Sequence, residues 1–221
     1  MKVLVIGGGG FIGCNVAAYH LNKGDEVTLF DNFSRDGTKA NLKWISSLYP
    51  KIKVVKGDIT QPNLKFLQII SHTDLIYHLA AQVAVTTSVK DPMQDFRINA
   101  LGTLNILEAI RKSSKDPILI FASTNKVYGK LNDVKVVEDK TRYRFHSLKQ
   151  GVAESQNLDF YSPYGCSKGA ADQYVLDYAR IYGLKTIVFR QSCIYGTRQF
   201  GMEDQGSVSY THLTLPTILR V

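Results

Sequence analysis

Cysteine is scarce in this sequence, and no segment stays apolar over a long stretch. The three cysteines, Cys14, Cys166 and Cys193, lie far apart and form no CxxC pair, so neither a disulfide framework nor a zinc site is predicted. Apolar runs end well short of the roughly 18 residues that a membrane-spanning helix needs. The segment from Met1 to Ile6 meets glycine too early for the apolar core of a signal peptide, which takes about 7 to 15 residues. These absences predict a protein of the reducing cytoplasm, without a bound metal and without a membrane partner.

Acidic residues are outnumbered, since 19 Asp and Glu face 27 Lys and Arg, which gives a formal net charge of +8. A basic balance fits either a nucleic acid or an anionic small molecule as partner. The basic residues are scattered, however, and the densest patch, residues 126–149, also contains acidic residues. We interpret this patch as a solvated loop and predict no nucleic-acid partner.

Short apolar runs alternate with longer segments of helical period. We predict strands near residues 2–6, 26–30, 52–56, 74–78, 117–122 and 185–190. The segments between them predict helices, among them a long one marked by Phe96, Leu101 and Ile110, and a last one over roughly residues 164–182. Such alternation is typical of parallel βαβ units, so the predicted fold class is α/β, a doubly wound parallel sheet of the Rossmann type. Residues 129–163 are polar and weakly periodic, and they predict a long loop.

A glycine-rich turn joins the first predicted strand to the first predicted helix. Read as GxxGxxG, it uses Gly7 for the tight turn, Gly10 for close approach of the backbone to a pyrophosphate, and Gly13 for packing of the helix on the strand. Phosphates would rest at the positive helix end, where Phe11 and Ile12 lie. The turn therefore predicts a dinucleotide site, and a merely flexible turn is the alternative.

Acidic residues follow the second and third predicted strands. Asp31 ends the second strand, where its carboxylate can accept hydrogen bonds from the adenosine ribose and would repel a 2′-phosphate. Arg35 favours NADP instead, but the position of Asp31 predicts NAD as cofactor. Asp58 is placed either to reach the adenine edge or to cap a turn. The neighbouring Asn32 and Ile59 are assigned to the same cofactor site.

Tyr164 and Lys168 form a YxxxK pair on one face of the last predicted helix. The same spacing occurs at Tyr19 and Tyr49, but neither of these tyrosines faces the nicotinamide end of the predicted site. A phenol, with a pKa of about 10, is a poor base at neutral pH unless a cation stabilises its phenolate, and Lys168 can supply that charge. Thr124, after the fifth strand, either orients a substrate hydroxyl or merely caps the strand end.

The order of these motifs is typical of one family. The glycine loop, Asp31, the segment His78 to Ala81, the Thr124 segment and the YxxxK pair together resemble the extended short-chain dehydrogenase/reductase family, which includes NAD-dependent epimerases and dehydratases. The resemblance covers residues 1–206. It implies that the partner is a nucleotide sugar and that the intact enzyme is a homo-oligomer.

The resemblance also implies roles for individual residues. The implied catalytic residues are Thr124, Tyr164 and Lys168, and the last two also contact the cofactor. Leu79, Ala80, Ala81 and Asn99 are assigned to the NAD site. Burial in the long helix is the alternative for Asn99. The segment from residue 190 to residue 196 is expected to pass along the nicotinamide.

Three segments narrow the implied activity. Residues 123–129, 162–174 and 198–206 resemble the members of that family that invert C2 of CDP-linked dideoxyhexoses. Dehydratases of the family usually show Thr-Asp-Glu before Val-Tyr-Gly, whereas residues 124–126 here are Thr-Asn-Lys and offer no carboxylate for the elimination of water. The implied function is an NAD-dependent conversion of CDP-paratose to CDP-tyvelose through a 2-keto intermediate. A UDP-sugar 4-epimerase and a non-catalytic NAD-binding regulator are the alternatives.

The final residues do not continue this pattern. Val208 to Thr217 match a translation of the mosaic end and primer of a common transposase-based sequencing adapter, and an edge strand interrupted by Pro216 is the alternative. We expect residues 207–221 to be such an artefact. We expect residues 1–206 to be the NAD-binding domain of a longer enzyme, inactive without its substrate-binding lobe.

Overall fold

The computed structural model describes residues 1–201, which fold around one parallel sheet. The strands in this range are β1 (Lys2–Ile6), β2 (Glu26–Asp31), β3 (Lys53–Lys56), β4 (Leu75–His78), β5 (Ile118–Ala122), β6 (Val136–Glu138), β7 (Tyr143–Phe145) and β8 (Thr186–Phe189). Six of them form the main sheet in the order β3-β2-β1-β4-β5-β8, and every neighbouring pair is parallel. This order confirms the predicted doubly wound α/β class. The expectation for residues 207–221 lies outside the described residues.

Helices cover both faces of the sheet. They are α1 (Phe11–Asn22), α2 (Thr38–Leu48), α3 (Leu64–Ile70), α4 (Val85–Lys90), α5 (Pro92–Phe96), α6 (Gly102–Arg111) and α7 (Ser162–Tyr182). On one face, Phe66, Leu107 and Val175 bring α3, α6 and α7 into a single core cluster. On the other face, Ala17 of α1 and Ile45 of α2 pack in a second cluster. None of the helices in the described range is long and apolar enough to cross a membrane.

The central strands are apolar on both sides because both faces of the sheet are covered there. In β1, the residues from Val3 to Ile6 are almost completely buried. The coverage stops at the β8 edge, where Ile187 and Phe189 are 44% and 47% exposed. These two residues alternate with half-buried neighbours, so one face of β8 remains uncovered by any element between residues 1 and 201.

Two expectations from the sequence need correction. The long helix predicted around Phe96 and Ile110 is interrupted by a π-helical turn, Arg97–Leu101, between α5 and α6. Its wider winding breaks the period of 3.6, and both Phe96 and Leu101 are exposed instead of buried. The predicted loop over residues 129–163 contains an antiparallel hairpin of β6 and β7, whose strands are too short to show an alternating pattern.

Candidate dinucleotide-binding and active site

The glycine loop turns sharply between β1 and α1. Gly7 has φ +85°, and a Cβ there would overlap the backbone of Ala80, so only glycine fits without strain. A Cβ at Gly13 would overlap the carbonyl oxygen of Gly7, and the first turn of α1 therefore packs directly on the loop. The helix begins after Gly10 with neither a side-chain cap nor an acidic residue in its first turn. An uncapped positive helix end of this kind suits a phosphate.

Asp31 links this loop to the end of β2. Its Oδ2 accepts a hydrogen bond from the Gly9 N–H at 2.9 Å, and its Oδ1 accepts one from the Phe33 N–H at 2.8 Å. Burial raises the pKa of Asp31, and these backbone donors oppose the rise. The carboxylate thus lies beside the glycine loop, at the edge where the sequence predicts a contact with ribose.

Asp58, after β3, has both carboxylate oxygens in hydrogen bonds. Its Oδ1 accepts from the Thr60 N–H at 2.8 Å and from the Thr60 hydroxyl at 2.7 Å, and its Oδ2 accepts from Asn32 Nδ2 at 3.0 Å. The alternative role of Asp58 in a turn is therefore present in the structure. Ile59 is 4% exposed and belongs to the core cluster, and its carbonyl accepts from Asn105 Nδ2. The side chain of Ile59 therefore packs in the core, and its assignment to the cofactor site stays a prediction.

The segment after β4 passes beside the glycine loop. The Leu79 N–H donates to the Ile6 carbonyl at 2.8 Å, which carries the chain straight on from the sheet. Ala80 then lies against Gly7. Leu79, Ala80 and Ala81 are all half-buried, so each retains some surface on this edge.

Asn99 lies in the π-helical turn and is only 1% exposed. Its Oδ1 accepts from the Gln82 N–H at 3.0 Å, while its Nδ2 donates to the Gln82 carbonyl at 3.1 Å and to Ser167 Oγ at 3.0 Å. The amide therefore ties the segment after β4 to α7. Asn99 is therefore buried in the structure, as the alternative interpretation of this residue expects.

The helix that carries the YxxxK pair begins two residues earlier than predicted, at Ser162. Ser162 has φ +74° and is followed by Pro163, which occupies the first turn of the helix. Its hydroxyl accepts from the Gly165 N–H at 3.2 Å, which satisfies one donor of the first turn. The first turn of α7 therefore sets the position of Tyr164.

Tyr164 and Thr124 meet at the end of β5. Both are buried, with exposed fractions of 9% and 6%, and their hydroxyls are within hydrogen-bonding reach of each other. Burial raises the pKa of Tyr164, and the hydrogen bond with Thr124 opposes the rise. Thr124 Oγ1 also accepts from the Lys126 N–H at 3.2 Å, so it orients a short 3₁₀ turn as well.

Lys168 lies one helical turn after Tyr164 and is 3% exposed. Its Nζ donates to the Ala122 carbonyl at 2.7 Å and lies 4.2 Å from the centroid of the Phe121 ring. Burial lowers the pKa of Lys168 to about 7, although the negative charges of Asp172 and Asp95 oppose this. The structure thus brings together a phenol, a hydroxyl and a buried amine at one strand end.

Two carboxylates that act on Lys168, those of Asp172 and Asp95, were not predicted from the sequence. Asp172 is fully buried, and it accepts from Arg190 Nε and Nη2 at 3.0 and 2.8 Å and from Ser123 Oγ at 2.6 Å. Asp95 accepts from Ser167 Oγ and from Gln82 Nε2. Asp95 belongs to no motif that a single sequence reveals. Asp172 lies within residues 162–174, which carry the family resemblance, and it follows Lys168 by four residues on the same helix face, but it was assigned no role.

An open cavity of about 420 Å³ lies beside Tyr164. Its lining consists of Val83, Ala84, Val85, Thr86, Thr124, Asn125, Lys126, Tyr164, Gln191, Ser192 and Cys193. The chain then continues from the cavity towards α1, where Gly196 approaches the ring of Phe11 and the Thr197 carbonyl accepts from Asn15 Nδ2 at 2.9 Å. The segment after β8 therefore connects the cavity with the region of the glycine loop.

Known proteins with similar sequences and structures are nucleotide-sugar enzymes. The family described as GDP-mannose 4,6 dehydratase matches residues 4–205. The CDP-paratose 2-epimerase of Salmonella typhi is 51% identical over 95% of this chain and 62% of its own length. A putative UDP-glucose 4-epimerase of Methanocaldococcus jannaschii is 33% identical over 94% of this chain and 60% of its own length.

A solved structure supports the same grouping. The UDP-glucose 4-epimerase of Thermus thermophilus, in complex with NAD, superimposes with a TM-score of 0.69 at 31% identity. The match covers 90% of this chain and 58% of that one. The chain thus spans about 60% of the length of the relatives it matches.

Proposed function

Because the chain belongs to the GDP-mannose 4,6 dehydratase family, we propose that it acts as an NAD-dependent epimerase at C2 of a CDP-linked dideoxyhexose, converting CDP-paratose to CDP-tyvelose. The observation that carries this choice within the family is 51% identity, over 95% of the chain, to a CDP-paratose 2-epimerase. Residues 1–206 are proposed to be the NAD-binding domain of this enzyme. The substrate is a nucleotide sugar, with CDP as the favoured nucleotide.

The geometry of the glycine loop supports NAD as the cofactor. The uncapped start of α1 would hold the pyrophosphate, and Asp31 would accept hydrogen bonds from the ribose. A 2′-phosphate would meet the charge of Asp31, which favours NAD over NADP. When bound, NAD supplies the means to oxidise the C2 alcohol and to reduce the resulting ketone. The Thermus thermophilus relative was solved in complex with NAD.

The residues at the end of β5 are proposed to manage the proton. Tyr164, as phenolate, would remove the proton from the C2 hydroxyl, and Thr124, whose side chain interacts with that of Tyr164, would orient that hydroxyl. Lys168 would stabilise the phenolate with its ammonium charge. The 2-keto sugar would then turn over before Tyr164 returns the proton to the new alcohol.

The cavity beside Tyr164 supports redox epimerisation over dehydration. Elimination of water from a sugar requires an acid and a base at the carbons involved. No carboxylate is found among the lining residues that the structure describes. Asn125 and Lys126 lie there instead, and oxidation followed by reduction at one carbon needs no further acid.

A UDP-sugar 4-epimerase is the second candidate. The Methanocaldococcus jannaschii and Thermus thermophilus relatives, both described as UDP-glucose 4-epimerases, favour it. The same residues would then act at C4 of the sugar. Which carbon reacts, and on which nucleotide, decides between the two candidates.

An isotope experiment tests the proposal. The intact enzyme, of which this chain is the proposed NAD-binding domain, is incubated with NAD and with CDP-paratose carrying deuterium at C2, and the product is analysed by NMR. We expect CDP-tyvelose with the deuterium retained at C2, because the hydrogen is carried by the cofactor and never exchanges with water. Loss of the label, or reaction at C4 alone, would contradict the proposal.

A matched pair of variants ties this chemistry to Tyr164. Tyr164→Phe should lower kcat by about 10² to 10⁴, the range for the loss of a general acid or base. Tyr19→Phe is the control, because Tyr19 also lies four residues before a lysine but is exposed on α1. An equal loss of kcat in both variants would show that the loss does not come from removing a general base at Tyr164.

A further inference from the structure

Lys126 is the charged side chain of the cavity beside Tyr164. It follows Thr124 by two residues, in the 3₁₀ turn Asn125–Tyr128. The Lys126 N–H donates to Thr124 Oγ1, and the Asn125 N–H donates to the Gln191 carbonyl at 2.8 Å. The backbone that carries Lys126 is therefore held from two sides, while the side chain itself is exposed.

The ammonium of Lys126 has no counter-charge within residues 1–201. No acidic side chain of that range lies within ion-pair distance of it, in contrast to the surface residues Lys112, Lys115 and Lys185. The described lining of the cavity is otherwise neutral, made of apolar, hydroxyl, amide and thiol groups. A wall with one cation and no anion favours a ligand that brings negative charge to this side of Tyr164.

The chemistry of a nucleotide sugar specifies where such a charge lies. The diphosphate is joined to the sugar through the oxygen on C1. That oxygen is two bonds from C2 but four bonds from C4, across the ring. A sugar that presents C2 to Tyr164 therefore brings its first phosphate into the same cavity, whereas a sugar that presents C4 keeps the phosphate on the far side of the ring.

We propose that Lys126 binds the sugar-proximal phosphate of the nucleotide sugar and thereby presents C2, and not C4, to Tyr164. This inference rests on the proposed function and adds a residue that decides which carbon reacts. Lys126 lines the cavity together with Thr124 and Tyr164, so a phosphate held by it lies next to the reacting carbon. A lysine is suited to this task as a compact charge with three donors on a flexible stem.

Binding measurements test the contact without depending on turnover. The intact enzyme, saturated with NAD, is titrated by calorimetry with CDP-glucose and, separately, with CMP, which lacks the sugar-proximal phosphate. Lys126→Met should weaken CDP-glucose binding at least tenfold and leave CMP binding within a factor of two. Lys126→Arg, which keeps the charge, should retain most of the affinity. Lys140→Met removes an equal charge beside the β6–β7 hairpin and should change neither ligand.

Each outcome decides the proposal. Unchanged CDP-glucose binding in Lys126→Met, or an equal loss for CDP-glucose and CMP, would overturn the phosphate contact, since structural damage affects both ligands. An intact wild-type enzyme that binds no CDP-glucose would overturn it as well. If the selective loss is found but the isotope experiment detects no chemistry at C2, the proposed function fails while the phosphate contact stands.

Discussion

Lys168 has to carry a positive charge in a place that disfavours charge. It is 3% exposed, and burial lowers its pKa to about 7. Asp172 and Asp95, both buried, raise that pKa by their negative charges. The protonation of the lysine at neutral pH therefore depends on two residues that need not touch substrate or cofactor themselves.

Replacing Asp95 should reveal this dependence in a pH profile. Asp95→Asn keeps the shape of the side chain but removes a charge that raises the pKa of Lys168, so that pKa falls. The ammonium form is then lost at lower pH, and the alkaline limb of kcat should shift towards acid. At pH values below the pKa of Lys168 in both proteins, their rates should converge.

The control for this profile is Asp177→Asn, an exposed position on the same helix. It should leave the profile in place. A loss of activity in Asp95→Asn that is uniform across the pH range would point to damaged packing, since Asp95 also accepts hydrogen bonds from Ser167 and Gln82.

At this scale, sequence patterns indicated candidate catalytic residues but not the residues that support them. Tyr164 and Lys168 were proposed from the YxxxK spacing, and Thr124 from its place after the fifth strand. Asp95 contributes through the folded arrangement of α5 against α7, and Asp172 through its contacts with the strand end, neither of which the sequence shows directly. The roles of all these residues stay predictions until they are measured.

Among the elements, the turn from β1 into α1 is tightly packed. The Gly7 N–H donates to the Phe30 carbonyl at 2.8 Å, which holds the loop against the sheet. A Cβ at Gly13 would overlap the Gly7 carbonyl oxygen, whereas a Cβ at Gly10 would only approach that atom to 3.2 Å. Gly13 therefore serves packing, whereas Gly10 leaves room for the ligand access that the motif predicts.

Two alanine substitutions should separate these roles. Gly13→Ala should lower the free energy of unfolding by about 1 to 3 kcal/mol, the usual cost of overpacking. Gly10→Ala should change stability much less and act mainly on NAD affinity, because the added methyl faces the predicted phosphate position. Urea unfolding of both variants, followed by circular dichroism, measures the difference. Equal stability of the two would contradict this account of the turn.

Elements with a strong local signal were predicted to within two residues, and those without one were not. The buried strands are continuous apolar runs, which the sequence displays directly. The π-helical turn at Arg97–Leu101 departs from the period that the prediction assumes, and it exposes Leu101. The β6–β7 hairpin has three-residue strands, which are too short for any pattern to establish.

For the whole molecule, the alternation of strands and helices was enough to predict the class of the sheet. The family resemblance predicted from the motifs is confirmed by the match over residues 4–205 and by the similar epimerases. The nucleotide base could not be predicted from individual residues, because none of the candidate site residues was assigned to bind it. Sheet order follows from the chain as a whole, whereas recognition of a base depends on a few side chains.

The uncovered face of β8 has a consequence for behaviour in concentrated solution. Within the described range, β8 pairs only with β5, so its other edge offers unpaired backbone groups beside the exposed side chains of Ile187 and Phe189. An edge strand that is both open and apolar is a template for strand addition from a second molecule. We expect the 221-residue chain to self-associate as its concentration rises, measured by light scattering, and Ile187→Lys to suppress this. If the chain remains monodisperse at millimolar concentration, the edge of β8 is protected. In that case, Ile187→Lys would not improve colloidal stability.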